Sequence, residues 1–122
     1  MINFLAAGIG GFLGAVARYG IYILTAGRTA LGSAWATFAV NVAGCFLIGV
    51  LAGCDFKNLE HLKLFLITGV LGGFTTFSAF GLDSFIFLKN GEILKAFIYS
   101  SGTLFCGILS VWCGFTLIKL MR

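Results

Sequence analysis

Residues 69–80 read GVLGGFTTFSAF, and this stretch governs how the rest of the chain is interpreted. It lies inside the third of four long apolar segments, where an unbroken membrane helix would be expected. It holds three glycines, then the hydroxyl residues Thr75, Thr76 and Ser78, with Phe77 and Phe80 one helical turn apart. Glycine lets a backbone leave helical geometry, and hydroxyl groups can satisfy the backbone groups that a break exposes. The stretch therefore predicts a helix that is broken within the membrane.

A broken membrane helix survives only where it is buried in protein or lines a wet cavity. Transporters and channels bind their ions at such breaks. Residues 69–80 are therefore a candidate ion site. The alternative is a glycine-rich face that packs helices together and binds no ion. Composition alone leaves both interpretations open.

The composition is that of a membrane protein. The 122 residues are 60% hydrophobic and 10% charged, whereas a soluble domain averages about 25% charged residues. Spanning the hydrocarbon takes roughly 20 helical residues. Four apolar segments reach that length, so we expect an all-α protein with one transmembrane domain, residues 1–122. The predicted helices cover approximately residues 3–25, 31–54, 62–88 and 93–120.

The basic residues divide almost evenly between the two sides of the membrane. Four spans place both termini on one side, and the excess of Lys and Arg in short loops normally sets orientation. The two sets are Lys57, Lys63, Lys119 and Arg122 against Arg18, Arg28, Lys89 and Lys95. This balance predicts dual topology, with opposite copies pairing as an antiparallel homodimer; the alternative is one topology fixed by a single loop. The net charge of +4 is assigned to contact with lipid headgroups rather than to nucleic acid.

The sequence offers no constellation for catalysis. Its four cysteines have no CxxC spacing, and His61 is the only histidine. The cysteines are interpreted as small apolar residues rather than metal ligands or disulfides. No paired nucleophile and base is visible, so we do not expect an enzyme.

Polar residues inside the spans are expensive and are candidates for function. Arg18 is either an anion-attracting group at a pore mouth or a topological anchor. Asn41 shares a face of small and polar residues with Thr37, Gly44 and Ile48, and it can line a pore or bind a neighbouring helix. Asp83 can attract cations at a vestibule or pair with a basic residue. Four residues of the last segment share one face within about 60°, as a solute-lining stripe or as interhelical hydrogen bonds: Tyr99, Thr103, Cys106 and Ser110.

Three motifs resemble one known family. Residues 10–19, GGFLGAVARY, are similar to the GGxxGAxxRY signature in helix 1 of the Fluc fluoride channels, also called CrcB. Residues 37–49, TFAVNVAGCFLIG, resemble the TxxVNxxGxFxxG of its helix 2, and residues 72–80 resemble its GGxTTFSTF. The resemblance covers the full length. The sequence departs from the family pattern at four positions: Ala79, Gly81, Asp83 and Gly107.

The resemblance implies a dual-topology antiparallel homodimer in the cell inner membrane, with two fluoride pores. It implies that the backbone carbonyls of Gly72 and Thr75, from both subunits, hold a structural Na⁺ at the dimer centre. Arg18 and Asp83 would lie at the pore mouth or vestibule. The residues assigned to the pore are Asn41, Phe77, Ser78, Phe80, Tyr99 and Thr103.

The function implied is passive, selective release of fluoride from the cytoplasm, which lowers its toxic level. One alternative is a small dual-topology exporter that couples drug efflux to protons. That class needs a membrane carboxylate, typically in the first helix, and Asp83 is the only acid within the spans. The other alternative is a membrane assembly subunit that transports nothing. It would explain the GxxxG motifs Gly10–Gly14 and Gly49–Gly53, which predict close packing of helices. It would not require the broken stretch or the Asn41 face.

Overall fold

The computed structural model describes residues 1–25 and 32–121. All regular elements in these two ranges are helical. Helix α3, residues 60–74, begins as an α-helix, widens into π-helical turns over Leu64–Leu71 and closes with the turn Gly72–Phe74. The other helices are α1 (Ile2–Thr25), α2 (Ser33–Gly53), α4 (Phe77–Lys89) and α5 (Ile93–Leu120).

The described residues contain four stretches long and apolar enough to cross a membrane: α1, α2, α5, and α3 with α4 taken together. The sequence-based prediction of an all-helical, four-span protein is thereby confirmed. The predicted first loop, the predicted start of the second span at residue 31, and the basic residues Arg28 and Arg122 lie outside the described residues.

Glycine brings the backbones of α1 and α3 into direct contact. A Cβ added at Gly14 would lie 2.0 Å from the Val70 carbonyl oxygen, and one added at Gly10 would lie 2.5 Å from the Phe65 carbonyl oxygen. On α3, a Cβ at Gly73 would lie 2.3 Å from the Gly11 carbonyl oxygen. These separations leave no room for a side chain, so the GxxxG of α1 packs against α3 as this motif predicts.

Helix α2 is the centre of the bundle. It carries seven buried residues, more than any other helix described, and Thr37 and Val40 are almost completely enclosed. The glycine pair Gly49 and Gly53 of α2 contacts α5. A Cβ at Gly49 would lie 2.1 Å from the Val111 carbonyl oxygen. The packing role predicted for Gly49 and Gly53 is confirmed.

The third span is interrupted at two threonines. Thr75 (φ −79°, ψ 158°) and Thr76 (φ −152°, ψ 118°) are extended, and helical geometry resumes at Phe77. Gly72 is itself helical (φ −62°, ψ −37°). The expectation that glycine supplies the break is therefore wrong. Gly69 and Gly73 serve close approach to α1, and the interruption falls on the hydroxyl residues that follow the glycines.

Candidate functional site around the α3–α4 interruption

The side chain of Asn41, on the neighbouring helix α2, forms hydrogen bonds with the interruption. Its amide nitrogen Nδ2 donates to the Thr76 carbonyl at 2.9 Å, and its Oδ1 accepts from the Thr76 N–H at 2.8 Å. Thr76 is only 6% exposed, so its polar backbone groups need protein partners. Asn41 supplies both. A second N–H on Nδ2 is not used by this pair.

Two threonine hydroxyls close the ends of the flanking helices. Thr76 is the N-cap of α4, where its Oγ1 accepts from the Ala79 N–H at 3.2 Å. Thr75 Oγ1 donates to the Leu71 carbonyl at 2.9 Å, at the end of α3. The Thr76 hydroxyl thus satisfies a backbone group at the break, as the sequence predicted, whereas the Thr75 hydroxyl is a second donor to a carbonyl that already accepts from the Thr75 N–H at 3.0 Å.

The interruption also redirects two backbone donors. A continuous α-helix would point the Thr76 N–H at the Gly72 carbonyl and the Ala79 N–H at the Thr75 carbonyl. Here the first donates to Asn41 Oδ1 and the second to Thr76 Oγ1. The Gly72 and Thr75 carbonyls therefore do not accept the hydrogen bonds that a continuous helix would give them. They are the two carbonyls that the resemblance assigns to a cation.

Six of the predicted site residues line one groove of about 430 Å³, formed by α2, α3, α4 and α5. The six are Asn41, Gly72, Thr75, Phe77, Phe80 and Thr103. The floor of this groove is close-packed, since a Cβ added at Gly44 would lie 2.2 Å from Thr75 Cγ2. The small-residue face predicted on the second span therefore meets the interruption directly.

The two predicted phenylalanines are neighbours on α4. Their ring centroids are 5.5 Å apart with the planes tilted by 47°. The Phe77 side chain is 83% exposed, while Phe80 is half-buried. Ser78 is exposed, and its Oγ lies 3.2 Å from Thr76 Oγ1. The first turn of α4 thus presents a ring and a hydroxyl at the surface of the isolated chain.

Asp83 is buried among hydroxyl groups, with 5% of its surface exposed. Ser33 Oγ donates to its Oδ1 at 2.8 Å, and the Tyr99 hydroxyl donates to its Oδ2 at 3.3 Å. No basic residue pairs with Asp83 within residues 1–25 and 32–121. Each carboxylate oxygen therefore has one neutral donor from a different helix.

Hydroxyl groups continue from this cluster on both sides. The Tyr22 hydroxyl lies 2.5 Å from Thr37 Oγ1, which donates to the Ser33 carbonyl at 3.0 Å. On α5, Thr103 Oγ1 donates to the Tyr99 carbonyl at 2.7 Å. Arg18 is half-buried on α1, and no ion pair to it is found in the described part of the chain.

Sequence reasoning placed Thr76 in the candidate stretch without identifying it as a helix cap, and it did not assign Ser33 to the site. A threonine placed just before a resumed helix is an N-cap signal, so Thr76 could have been identified. The role of Ser33 depends on α2 beginning beside Asp83, fifty positions along the chain, and no local pattern indicates it.

The amino-acid sequence is similar to those of one protein family. The model of the family described as CrcB-like protein, Camphor Resistance (CrcB), matches residues 5–115. A protein of Paracoccus denitrificans named fluoride-specific ion channel FluC is 45% identical over 115 residues, which cover 93% of this chain and 92% of that protein. A FluC of Thermus thermophilus is 39% identical, over 96% of this chain and 95% of its own length. FluC of Rhizobium meliloti is 39% identical, over 99% of each.

Proposed function

The chain belongs to the CrcB family, and we propose that it is a fluoride-specific ion channel of the cell inner membrane. It lets fluoride leave the cytoplasm passively, down the combined gradient of concentration and membrane potential, and so lowers its toxic level. The relatives compared are ion channels by name, and none is named as an enzyme. The observation that carries the proposal is the groove in which Asn41, Phe77, Phe80 and Thr103 meet at the interruption.

The groove suits a small, strongly hydrated anion. Fluoride gives up water only where other donors replace it. The edge of an aromatic ring is positive, so Phe77 and Phe80 can face an anion without holding it tightly. Asn41 has one N–H beyond the one that binds Thr76, and the Ser78 hydroxyl lies beside the groove at Thr76. The Thr103 and Tyr99 hydroxyls donate to the Tyr99 carbonyl and to Asp83, so each would have to turn to donate to an anion. Conduction requires sites that are favourable enough to enter and weak enough to leave.

The depth of the interruption supports a site within the hydrocarbon. Thr75 and Thr76 stand at the middle of the span from Glu60 to Lys89. A helix of that length exceeds the roughly 30 Å of hydrocarbon, so its middle falls near the centre of the bilayer. Non-helical backbone at that depth needs protein or a wet cavity around it. The groove is open on one side in the single chain, where Phe77 is 83% exposed, and a partner subunit would close that wall.

An antiparallel homodimer supplies the missing wall. The even division of basic residues lets the chain insert in both orientations, and two opposite copies bring their interruptions together at the dimer centre. Such a dimer has two equivalent pores, each with Arg18 and Asp83 toward its mouths. Attaching a tag to the C-terminus and finding it on both faces of the membrane is the expected result; exposure on one face only contradicts dual topology.

The residues at the interruption fit a structural Na⁺. The carbonyls of Gly72 and Thr75 are relieved of their helical donors, and oxygen ligands are what a hard cation requires. Two such carbonyls from each subunit would hold the ion at the dimer axis. Bound there, Na⁺ would add a positive field favourable to anions and would tie the two interruptions together.

Fluoride efflux from liposomes tests the proposed function. Purified protein is reconstituted in vesicles loaded with potassium fluoride, and valinomycin sets the membrane potential. We expect rapid fluoride release, with much slower chloride release from matched chloride-loaded vesicles. Fluoride release no faster than from protein-free vesicles, or chloride release at the same rate, contradicts the proposal.

A further inference from the structure

Three residues of α4 lie along one stripe that faces α5. Phe80, Asp83 and Phe87 are spaced by three and four positions, the spacing that places side chains on the same face of a helix. Tyr99 of α5 contacts all three. Phe80 and Tyr99 already belong to the proposed pore, and Asp83 to its mouth. Phe87 has no role in any motif.

The ring of Tyr99 lies between the two phenylalanines. Its centroid is 5.5 Å from that of Phe80, with the planes tilted by 35°, and 5.7 Å from that of Phe87, which it meets edge to face at 70°. Its hydroxyl donates to Asp83 Oδ2 at 3.3 Å. The ring is thus fixed by two aromatic contacts and one hydrogen bond from a single helix face.

Phe80 depends on Tyr99 for its support. Its other aromatic neighbour in the described chain, Phe77, is 83% exposed and cannot fix its position in the single chain. Phe80 also lines the groove, which leaves that side of the ring open. Tyr99 is therefore the aromatic support on the protein side, and Phe87 lies beyond it.

We propose that Phe87 is a positioning residue for fluoride conduction, acting on Phe80 through the ring of Tyr99. The proposal rests on the proposed function, because it concerns the same pore. Phe87 does not touch the groove, so it cannot act on the ion directly. Removing its ring leaves a space beside Tyr99, into which Tyr99 tilts, and Phe80 then loses its fixed orientation.

Fluoride flux in three variants tests this chain of contacts. We expect Phe87→Ala to lower the flux by roughly twofold to tenfold, the fold-change that corresponds to losing one aromatic pair. Phe87→Leu restores volume beside Tyr99 and should recover most of the flux. Phe85→Ala is the matched control, since Phe85 is on the same helix, is 59% exposed and has no aromatic contact in the described residues. Its flux should equal that of the wild type.

A spectroscopic measurement separates positioning from a general loss of structure. 4-Fluorophenylalanine incorporated at position 80 reports the environment of that ring by ¹⁹F NMR in detergent. We expect one sharp resonance in the wild-type background and in Phe85→Ala, and a shifted or broadened resonance in Phe87→Ala. If Phe87→Ala does not assemble, Phe87→Val is compared with Phe85→Val by the same two measurements.

Two results overturn the proposal. One is a flux in the Phe87 variants equal to that of the Phe85 controls. The other is an unchanged resonance at position 80. A wild-type protein that does not conduct fluoride refutes the proposed function instead, while the resonance still reports whether Phe87 positions Phe80.

Discussion

The Asn41 side chain hydrogen-bonds to both backbone groups of Thr76, as a neighbouring helical turn would. Its side-chain amide accepts from the Thr76 N–H and donates to the Thr76 carbonyl, at 2.8 and 2.9 Å. An amide side chain has the same donor and acceptor as a peptide group, so it can complete a backbone that no longer bonds to its own helix. The two interpretations of Asn41 left open by the sequence are thus compatible, because one N–H remains beyond this pair.

Asn41→Leu should abolish fluoride flux and destabilise the protein. It leaves both backbone groups of buried Thr76 without their partner, at a cost of about 1–3 kcal/mol for each unsatisfied group. Thermal unfolding in detergent and liposome flux measure the two effects. Asn90→Leu, at an exposed position after α4, is the control and should change neither. Wild-type stability in Asn41→Leu would show that the two hydrogen bonds contribute nothing.

Gly44→Ala should impair the channel through the interruption. The new methyl group would lie 2.2 Å from Thr75 Cγ2, so Thr75 must move. Rotating the Thr75 side chain breaks its hydroxyl bond to the Leu71 carbonyl, and shifting its backbone instead displaces its own carbonyl. We expect at least a tenfold loss of flux, which corresponds to about 1.4 kcal/mol. Gly102→Ala meets no atom within 4 Å and should leave the flux unchanged; equal flux in the two variants argues against this prediction.

Phe80→Ile should slow fluoride flux while the dimer stays assembled. Isoleucine keeps an apolar side chain of similar bulk but has no ring edge to face an anion. Flux is measured in liposomes, and assembly by cross-linking or size-exclusion chromatography in detergent. Phe85→Ile, at a position 59% exposed, is the control on the same helix. Undiminished flux in Phe80→Ile would remove this ring from the mechanism.

Withdrawing Na⁺ should lower the flux. Protein is purified in sodium or in N-methylglucamine, a cation too large for a site formed by carbonyl oxygens, and the same cation is added on both sides of the vesicles loaded with potassium fluoride. We expect loss of fluoride release in N-methylglucamine and recovery when sodium is returned. Identical release in the two media would mean that conduction does not require Na⁺ at the Gly72 and Thr75 carbonyls.

The sequence predicted the parts of the fold that depend on local chemistry. Apolar segments of sufficient length predicted four spans, since hydrocarbon thickness sets the length of a membrane helix. The glycine pairs predicted close backbone contact, and Gly10 and Gly14 make it with α3. The small-residue face containing Asn41 and Gly44 was identified by its helical spacing and does meet the third span.

The exact place of the interruption could not be predicted in the same way. Glycine propensity pointed to the glycines of residues 69–80, but Gly72 and Gly73 stay helical, and Gly73 packs against Gly11 of α1. The helix ends where the Thr76 N–H donates to the side chain of Asn41, 35 positions earlier in the sequence. The partners of Asp83 were missed for a similar reason, because Ser33 and Tyr99 come from two other helices. Tertiary contacts decide both points.

The arrangement at Thr76 also limits how the protein can move. Straightening the third span into one continuous helix would lose both Asn41 bonds and the Thr76 cap, each worth about 1 kcal/mol. It would restore two backbone bonds, from the Thr76 and Ala79 N–H groups, but would leave the Asn41 side chain without its partner. The interruption is therefore a stable part of the fold rather than an element that opens and closes.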